Sequence, residues 1–376
     1  MNALLPLATR TAFADLTARC ADAAFDADFP ENGRFQVQHD RGRGYFYFRA
    51  LVGDGEGGKR ILQRYVGPAD DPVIAARVAA FGHIKADGRE RRTLVAQLRA
   101  AGLGQPPGPV GDVIAALARA GIFRLRGVLV GTTAFGVYGG LLGMRLPEAS
   151  VTTDDVDFAQ STGVSMCVYD TIPPVMRVLG EVDPTFRPIP RNQRGYAASS
   201  FVSERGLKVE FLTPNRGSDD HSDDGATMPA LGGAVAQPLR FLDFLIRYPV
   251  PSVLLRGTGI PVVVPAPERF LVHKLIVSHR RARNLAGSMA KSAKDVRQSG
   301  ILLRALAADG RLDDAGAAWR EAWERGPKWR EGLMAGRARL HPEEVVLLEQ
   351  GVRAACVSDG GDPAKLGFGP DVQIMT

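Results

Sequence analysis

The chain has little of what would place it among disulfide-stapled, zinc-finger or membrane proteins. Cysteine occurs at three positions only, Cys20, Cys167 and Cys356, far apart and without a CxxC pair. That usage excludes a disulfide framework and a zinc knuckle and suits a reducing compartment, so a cytoplasmic location is expected. No run of about 18 apolar residues exists, which leaves no candidate spanning helix and no membrane partner. The N-terminus begins apolar, but Arg10 and Asp15 interrupt it and no small-residue cleavage site follows, so export is not expected. There is no internal repeat, and Lys and Arg are spread through most segments rather than gathered in one dense block.

What is present is an ordinary globular composition, with 45% hydrophobic and 23% charged residues over 376 positions. Such a length suits two or three units with a sizeable core. The net charge of +6 is compatible with a polyanionic partner and equally with a plain solvated basic surface.

Helical spacing over residues 4–25 gives way to period two from Phe35 onward. Residues 35–38, 45–51 and 60–66, with a glycine-rich turn at 53–58, predict a small antiparallel meander. Its Tyr45, Tyr47, Arg49, Arg60 and Arg64 would serve either as a stacking surface for RNA or a nucleotide, or as half of a core. Asp71-Pro72 predicts an N-cap with proline at the first helical position. The clearest linker is Gly-Leu-Gly-Gln-Pro-Pro-Gly-Pro at 102–109. Beyond it lie a short helix at 110–120, a helix at 165–179 broken at Pro173-Pro174, strands at 185–189, 197–202, 207–212, 252–255 and 260–264, and then helices. The acidic run at 218–224 lacks a calcium-loop pattern and predicts only a polar loop. The pattern as a whole is α+β, a mixed sheet flanked by helices. An N-terminal α/β meander unit (1–105) precedes a core (110–265), a helical C-terminal region (266–356) and a loose tail (357–376).

One stretch, 128–158, concentrates the chemistry. An apolar strand ends in Gly131-Thr132-Thr133 at the start of an apolar helical segment, where free backbone N–H groups and the positive dipole end favour phosphate. A second strand then carries Asp155-Val156-Asp157. Carboxylates at i and i+2 of a strand share a face, and two such charges repel unless a hard cation lies between them. Asp154 alternates away from that pair. Glu210 is a carboxylate inside the otherwise apolar Val209-Glu210-Phe211-Leu212; it would either complete a metal site or form a salt bridge with Lys208 or Arg205. Lys274, with Lys294 and Asp295 beyond it, would supply positive charge to phosphate oxygens or merely decorate a solvated helix. Arg145 would anchor either a phosphate or a loop.

In their order these residues resemble the DNA polymerase beta nucleotidyltransferase superfamily, while the spacing from Thr132 to Asp155 exceeds that of its minimal members. The blocks Gly131-Thr132-Thr133-Ala134-Phe135, Arg145 with Thr153-Asp154-Asp155-Val156-Asp157, and Lys274 with Asp295 are similar to those of the bacterial AbiEii-like nucleotidyltransferases. A further bacterial group of nucleotidyltransferase-fold proteins shares these together with Val209-Glu210-Phe211-Leu212-Thr213-Pro214 and His273-Lys274-Leu275 over roughly residues 110–310. The chain departs from many relatives in having Thr132 where Ser or Gly is common, and Glu210 where Asp is common.

The resemblance implies a nucleotidyltransferase fold and an enzyme that moves an NMP from an NTP such as ATP to a hydroxyl-bearing acceptor: RNA, a protein or a small molecule. It implies Mg²⁺ or Mn²⁺ on Asp155, Asp157 and Glu210 as catalytic and metal-binding residues, and nucleotide held by Gly131, Thr132, Thr133, Arg145, Lys274 and Asp295. It also implies a possible role as the toxin of a pair with an antitoxin partner. The alternative is a regulatory protein that binds nucleotide or nucleic acid with a degenerate site of the same fold.

Overall fold

The computed structural model describes residues 4–369 except 28, 30–32, 41, 54–58, 81–87, 148–154, 169, 190–197, 216–224 and 283–287. Thr153, Asp154, the acidic run at 218–224 and most of the expected turn at 53–58 therefore lie outside the described residues.

The period-two segment forms β1 (Arg34–Asp40), β2 (Arg43–Gly53) and β3 (Lys59–Pro68), paired antiparallel in that order. Tyr47 and Phe48 are consecutive and so face opposite sides of the sheet, yet both are buried. Phe48 packs on Phe29 and Phe35, and Tyr47 on Tyr65. Helix α1 (Leu7–Ala27) precedes the meander, and α2 (Pro72–Ala79) and α3 (Gly88–Ala100) follow it. Asp71 caps α2 by accepting from the N–H groups of Val73 and Ile74, with Pro72 as the first helical residue.

Leu5, Phe13, Leu16, Val95, Leu98 and Leu103 share one buried cluster with Val253 and Leu255, from the far side of the 102–109 linker. Helices α1 and α3 thus complete their core against the following segment rather than closing one of their own.

The next segment supplies α4 (Gly108–Ala120), β4 (Val128–Val130), α5 (Gly131–Leu141), β5 (Asp155–Ala159), α6 (Thr162–Cys167) and α7 (Val175–Gly180). Pro174 stands at the N-cap of α7, so the expected helix at 165–179 is two short helices. Strands β6 (Arg187–Pro188), β7 (Ser200–Val202), β8 (Lys208–Pro214), β9 (Ala226–Met228) and β10 (Ala234–Leu239) join β4 and β5 in a seven-stranded mixed sheet. Strand β8 lies inside this sheet. One flank pairs in parallel with β5 over residues 208–212; the other pairs antiparallel with β7 at its start and in parallel with β10 at its end. Strands β9 and β10 have no counterpart among the expected strands, because Gly232-Gly233 and Pro238 interrupt any strand pattern there.

Helix α8 (Leu242–Leu245) leads to the hairpin of β11 (Val250–Leu254) and β12 (Ile260–Val264). The helical region follows as α9 (Pro267–Ala282), α10 (Ser288–Ala308), α11 (Leu312–Glu324), α12 (Pro327–Arg337) and α13 (Pro342–Asp359). It continues the main core, with Phe270, Leu275, Leu302 and Trp319 fully buried.

The expected loose tail from 357 requires correction as far as residue 369. Helix α13 runs to Asp359, and Leu366 and Phe368 are buried. The Trp319 indole N–H donates to the Leu366 carbonyl at 3.1 Å, and the Arg337 guanidinium donates to the Gly367 carbonyl while lying over the Phe368 ring. The glycine and proline content that suggested looseness instead makes a tight turn presenting one aromatic anchor.

Helices α11 and α13 approach so closely that a Cβ on Gly316 would lie 2.0 Å from the Gly351 carbonyl oxygen. Replacing Gly316 by Ala must push these backbones apart. Urea unfolding should show G316A destabilised by about 1–3 kcal/mol, and an unchanged midpoint would contradict this packing.

Candidate active site

Alternation along two adjacent strands builds the site. In β5, Val156 and Phe158 are buried, and in β8 so are Val209 and Phe211. Phe158 and Phe211 stack with ring centroids 6.0 Å apart. Burial of this face turns Asp155, Asp157, Lys208 and Glu210 to the other. The parallel register places Asp155 opposite Lys208 and Asp157 opposite Glu210. Neighbouring strands lie about 4.8 Å apart, so the sheet itself brings the two carboxylates together.

Strand β4 runs antiparallel to β5 and places Val130 opposite Asp157. The chain then turns at Gly131, whose φ of +70° favours glycine, directly into α5. A Cβ at Gly131 would lie 2.3 Å from Asp157 Oδ2, so glycine is required by both conformation and space. The amino end of α5, with its unpaired N–H groups, therefore abuts the aspartate pair. The Thr133 hydroxyl donates to the Asp155 carbonyl at 3.3 Å and ties helix to strand. Thr132 remains as the hydroxyl with no partner among the described residues.

The carboxylates have different surroundings. Burial first, then Glu210 and Asp155, push the Asp157 carboxyl up to about 7, with Lys274 and Arg281 acting in the opposite direction. It accepts no hydrogen bond from any described residue. Asp155 lies 3.6 Å from Lys291 Nζ. Glu210 accepts from Ser200 Oγ at 3.0 Å and pairs with Lys208 Nζ at 2.8 Å. Of the two alternatives for Glu210, the salt bridge with Lys208 is thus present, on a strand inside the sheet.

Lys274 is buried rather than solvated, with Nζ 2.6 Å from Asp295 Oδ1; Arg281 bonds the other Asp295 oxygen. The two cations over one buried carboxylate leave net positive charge beside the aspartates. Burial lowers the Lys294 pKa, and Lys274 adds to the effect. His273, next in sequence to Lys274, is driven down to about 3 by burial and stays neutral.

Of the residues singled out in sequence, Gly131, Thr132, Thr133, Asp155, Asp157 and Glu210 converge, with Lys274 and Asp295 on the facing helices. Arg145 is not brought to them. It follows the far end of α5, and its Nε donates to the Ala101 carbonyl at 3.1 Å, which is the loop-anchor alternative. Arg281 and Lys291 were not picked out as site residues; the signal was their basic segments, whose direction only the packing of α9 on α10 reveals.

Among the described residues no three His, Cys, Asp or Glu side chains are gathered as a cation cage. The donor types nevertheless suit a hard divalent cation, since three carboxylates share one face and Asp157 is enclosed without a partner. Glu210 would have to leave Lys208 to join them.

Because the Asp157 pKa lies above its ordinary value of 3.8, its ionised form costs the fold stability. That cost is absent below about pH 4 and complete above about pH 7. Asp157→Asn in metal-free protein should therefore raise the melting temperature at pH 8 and leave it nearly unchanged at pH 4. Equal effects at both pH values would mean that Asp157 is not the enclosed, repelled carboxylate described.

Among the described residues no helix is long and apolar enough to cross a membrane. Neither curated proteins nor solved structures yield a significant match. A family model described as Nucleotidyltransferase matches residues 109–324, which span β4, the Gly131 turn, the Asp155 to Asp157 strand, Glu210 and the Lys274 and Asp295 helices. With that match over more than half its length and these residues within it, the chain belongs to this nucleotidyltransferase family and is an enzyme of that class.

Proposed function

We propose that the protein transfers an NMP from an NTP to a hydroxyl-bearing acceptor at the face of β5 and β8, using the 110–265 segment as its catalytic core. The observation that carries this reading is the contact of the Gly131 turn with Asp157, which sets a phosphate-friendly helix end against a carboxylate pair. The N–H groups opening α5 and the Thr132 hydroxyl would hold phosphate oxygens. Lys274, Lys291 and Lys294 would offset the charge of the triphosphate from the opposite side.

Asp155, Asp157 and Glu210 would hold a divalent cation, Mg²⁺ or Mn²⁺, which when bound neutralises phosphate charge and acidifies the acceptor hydroxyl. The acceptor oxygen attacks the α-phosphorus, forming one P–O bond as the bond to the departing pyrophosphate breaks. Glu210, once free of Lys208, would take the hydroxyl proton. The AbiEii-like resemblance extends the proposal to an RNA or protein acceptor and an antitoxin partner.

The pairing of Glu210 with Lys208 favours a second reading, a regulatory nucleotide-binding protein whose carboxylates no longer serve a metal. NTPs labelled at the α-phosphate, with Mg²⁺ or Mn²⁺ and cell extract, separate the two. Wild type should label an acceptor, and an Asp155→Asn/Asp157→Asn variant should lose at least about a hundredfold of that activity. Equal labelling by both proteins would sink the transferase reading, and NTP binding by wild type without transfer would favour the second.

A further inference from the structure

A cleft of about 640 Å³ lies between the meander and the opposite end of the main sheet from the carboxylates. Val128, Ser161 and Pro214 line it. Val128 begins β4, whose other end leads to Gly131, and Ser161 and Pro214 lie at or just beyond the carboxyl ends of β5 and β8. At about 3.3 Å per residue, the length of a strand separates the cleft from Asp155 and Asp157. Nothing in the transfer chemistry uses it.

Its chemistry is specific. Tyr45, Tyr47 and Tyr65 form one wall, with Tyr65 centred 5.6 Å from Tyr47 and 6.2 Å from Tyr45. Tyr47 and Tyr65 are buried and back the half-buried Tyr45, whose ring is the aromatic surface offered to a planar base. The Tyr65 hydroxyl bonds no described residue.

The lining is also cationic. Its Arg247 and Arg325, together with the buried Arg269 outside the lining, share two carboxylates among the described residues, Asp243 and Glu321. Arg247 is the loosest of them, 3.4 Å from Glu321 and half exposed. Arg126, also in the lining, is exposed and pairs with no described residue. Asp40 at the same cleft has no described partner and can accept from a sugar hydroxyl or base amino group.

The backbone gives an independent sign. Among the described residues, three that are not glycine have positive φ: Arg126 at +67°, Phe241 at +67° and Tyr248 at +55°. Arg126 lines the cleft, Tyr248 lies between the lining residues Arg247 and Pro249, and Phe241 is two residues before the lining residue Asp243. Each conformation costs the fold on the order of 1 kcal/mol or more, and strain of this kind gathers where a site needs side chains held in place.

We propose that this cleft is a second nucleotide-binding site, distinct from the catalytic carboxylates, which takes a base against the Tyr45 ring and its phosphate on Arg126 and Arg247. The nucleotide is either free or the terminal residue of a nucleic-acid strand, since both present the same base and phosphate. The proposal stands independently of whether the carboxylate face transfers NMP.

The test is calorimetric titration of the full chain, without metal and in the Asp155→Asn/Asp157→Asn background, with AMP, GMP and a short single-stranded RNA. Saturable binding is expected for at least one probe: a mononucleotide if the ligand is free, the RNA alone if it is a strand end. Arg126→Gly should weaken that binding about tenfold to a hundredfold. Because glycine accepts the positive φ without strain, the same variant should keep or raise the melting temperature, which separates lost binding from lost folding. Tyr45→Leu should also weaken binding, while a probe lacking the base, ribose 5-phosphate, should bind less tightly than AMP. Absence of saturable binding by every probe, or binding unchanged in both Arg126→Gly and Tyr45→Leu, would overturn the proposal.

Discussion

Like charges on adjacent strands repel, and this fold holds them together by burying what lies behind them. Val156, Phe158, Val209 and Phe211 are essentially inaccessible, and with a side-chain period of two their burial dictates where Asp155, Asp157 and Glu210 point. A slip of one residue in either strand would bring the acidic side chains into the core. The hydrophobic face is therefore what positions the charges, and the charges in turn attract the cationic helices opposite.

That attraction explains how α9 and α10 are arranged. Lys274 and Arg281 share Asp295, which lets two cations be carried near the sheet without an isolated buried charge. Lys291 leans toward Asp155 from the same helix as Asp295. Lys208 is held by Glu210 within the sheet itself. The face thus alternates acids and bases, an order suited to bind a polyanion without strong attraction for arbitrary anions.

The parts of this design that depend on near neighbours in the chain were legible in sequence. Gly131 with its hydroxyl residues, the Asp155 and Asp157 pair, the meander and the capped start of α2 all follow from local pattern. Glu210 was legible as an acid in an apolar strand, but its place opposite Asp157 depends on parallel pairing across about fifty intervening residues. The direction of Arg145, the identity of Arg281 and Lys291 as site cations, and the docking of Phe368 under Trp319 were not legible, because each is decided by helix packing rather than spacing. Strands β9 and β10 were missed because glycine and proline within 226–239 hide their alternation, and the sheet tolerates them at its margin.

The bond from the Thr133 hydroxyl to the Asp155 carbonyl has a mechanical consequence. It fastens the first turn of α5 to the start of β5, so the helix end and the aspartates are tied to one another. On the opposite side Lys274 is held by Asp295, whereas Lys291 is two-thirds exposed and reaches Asp155 only at 3.6 Å, so Lys291 is the cation there with the most room to move.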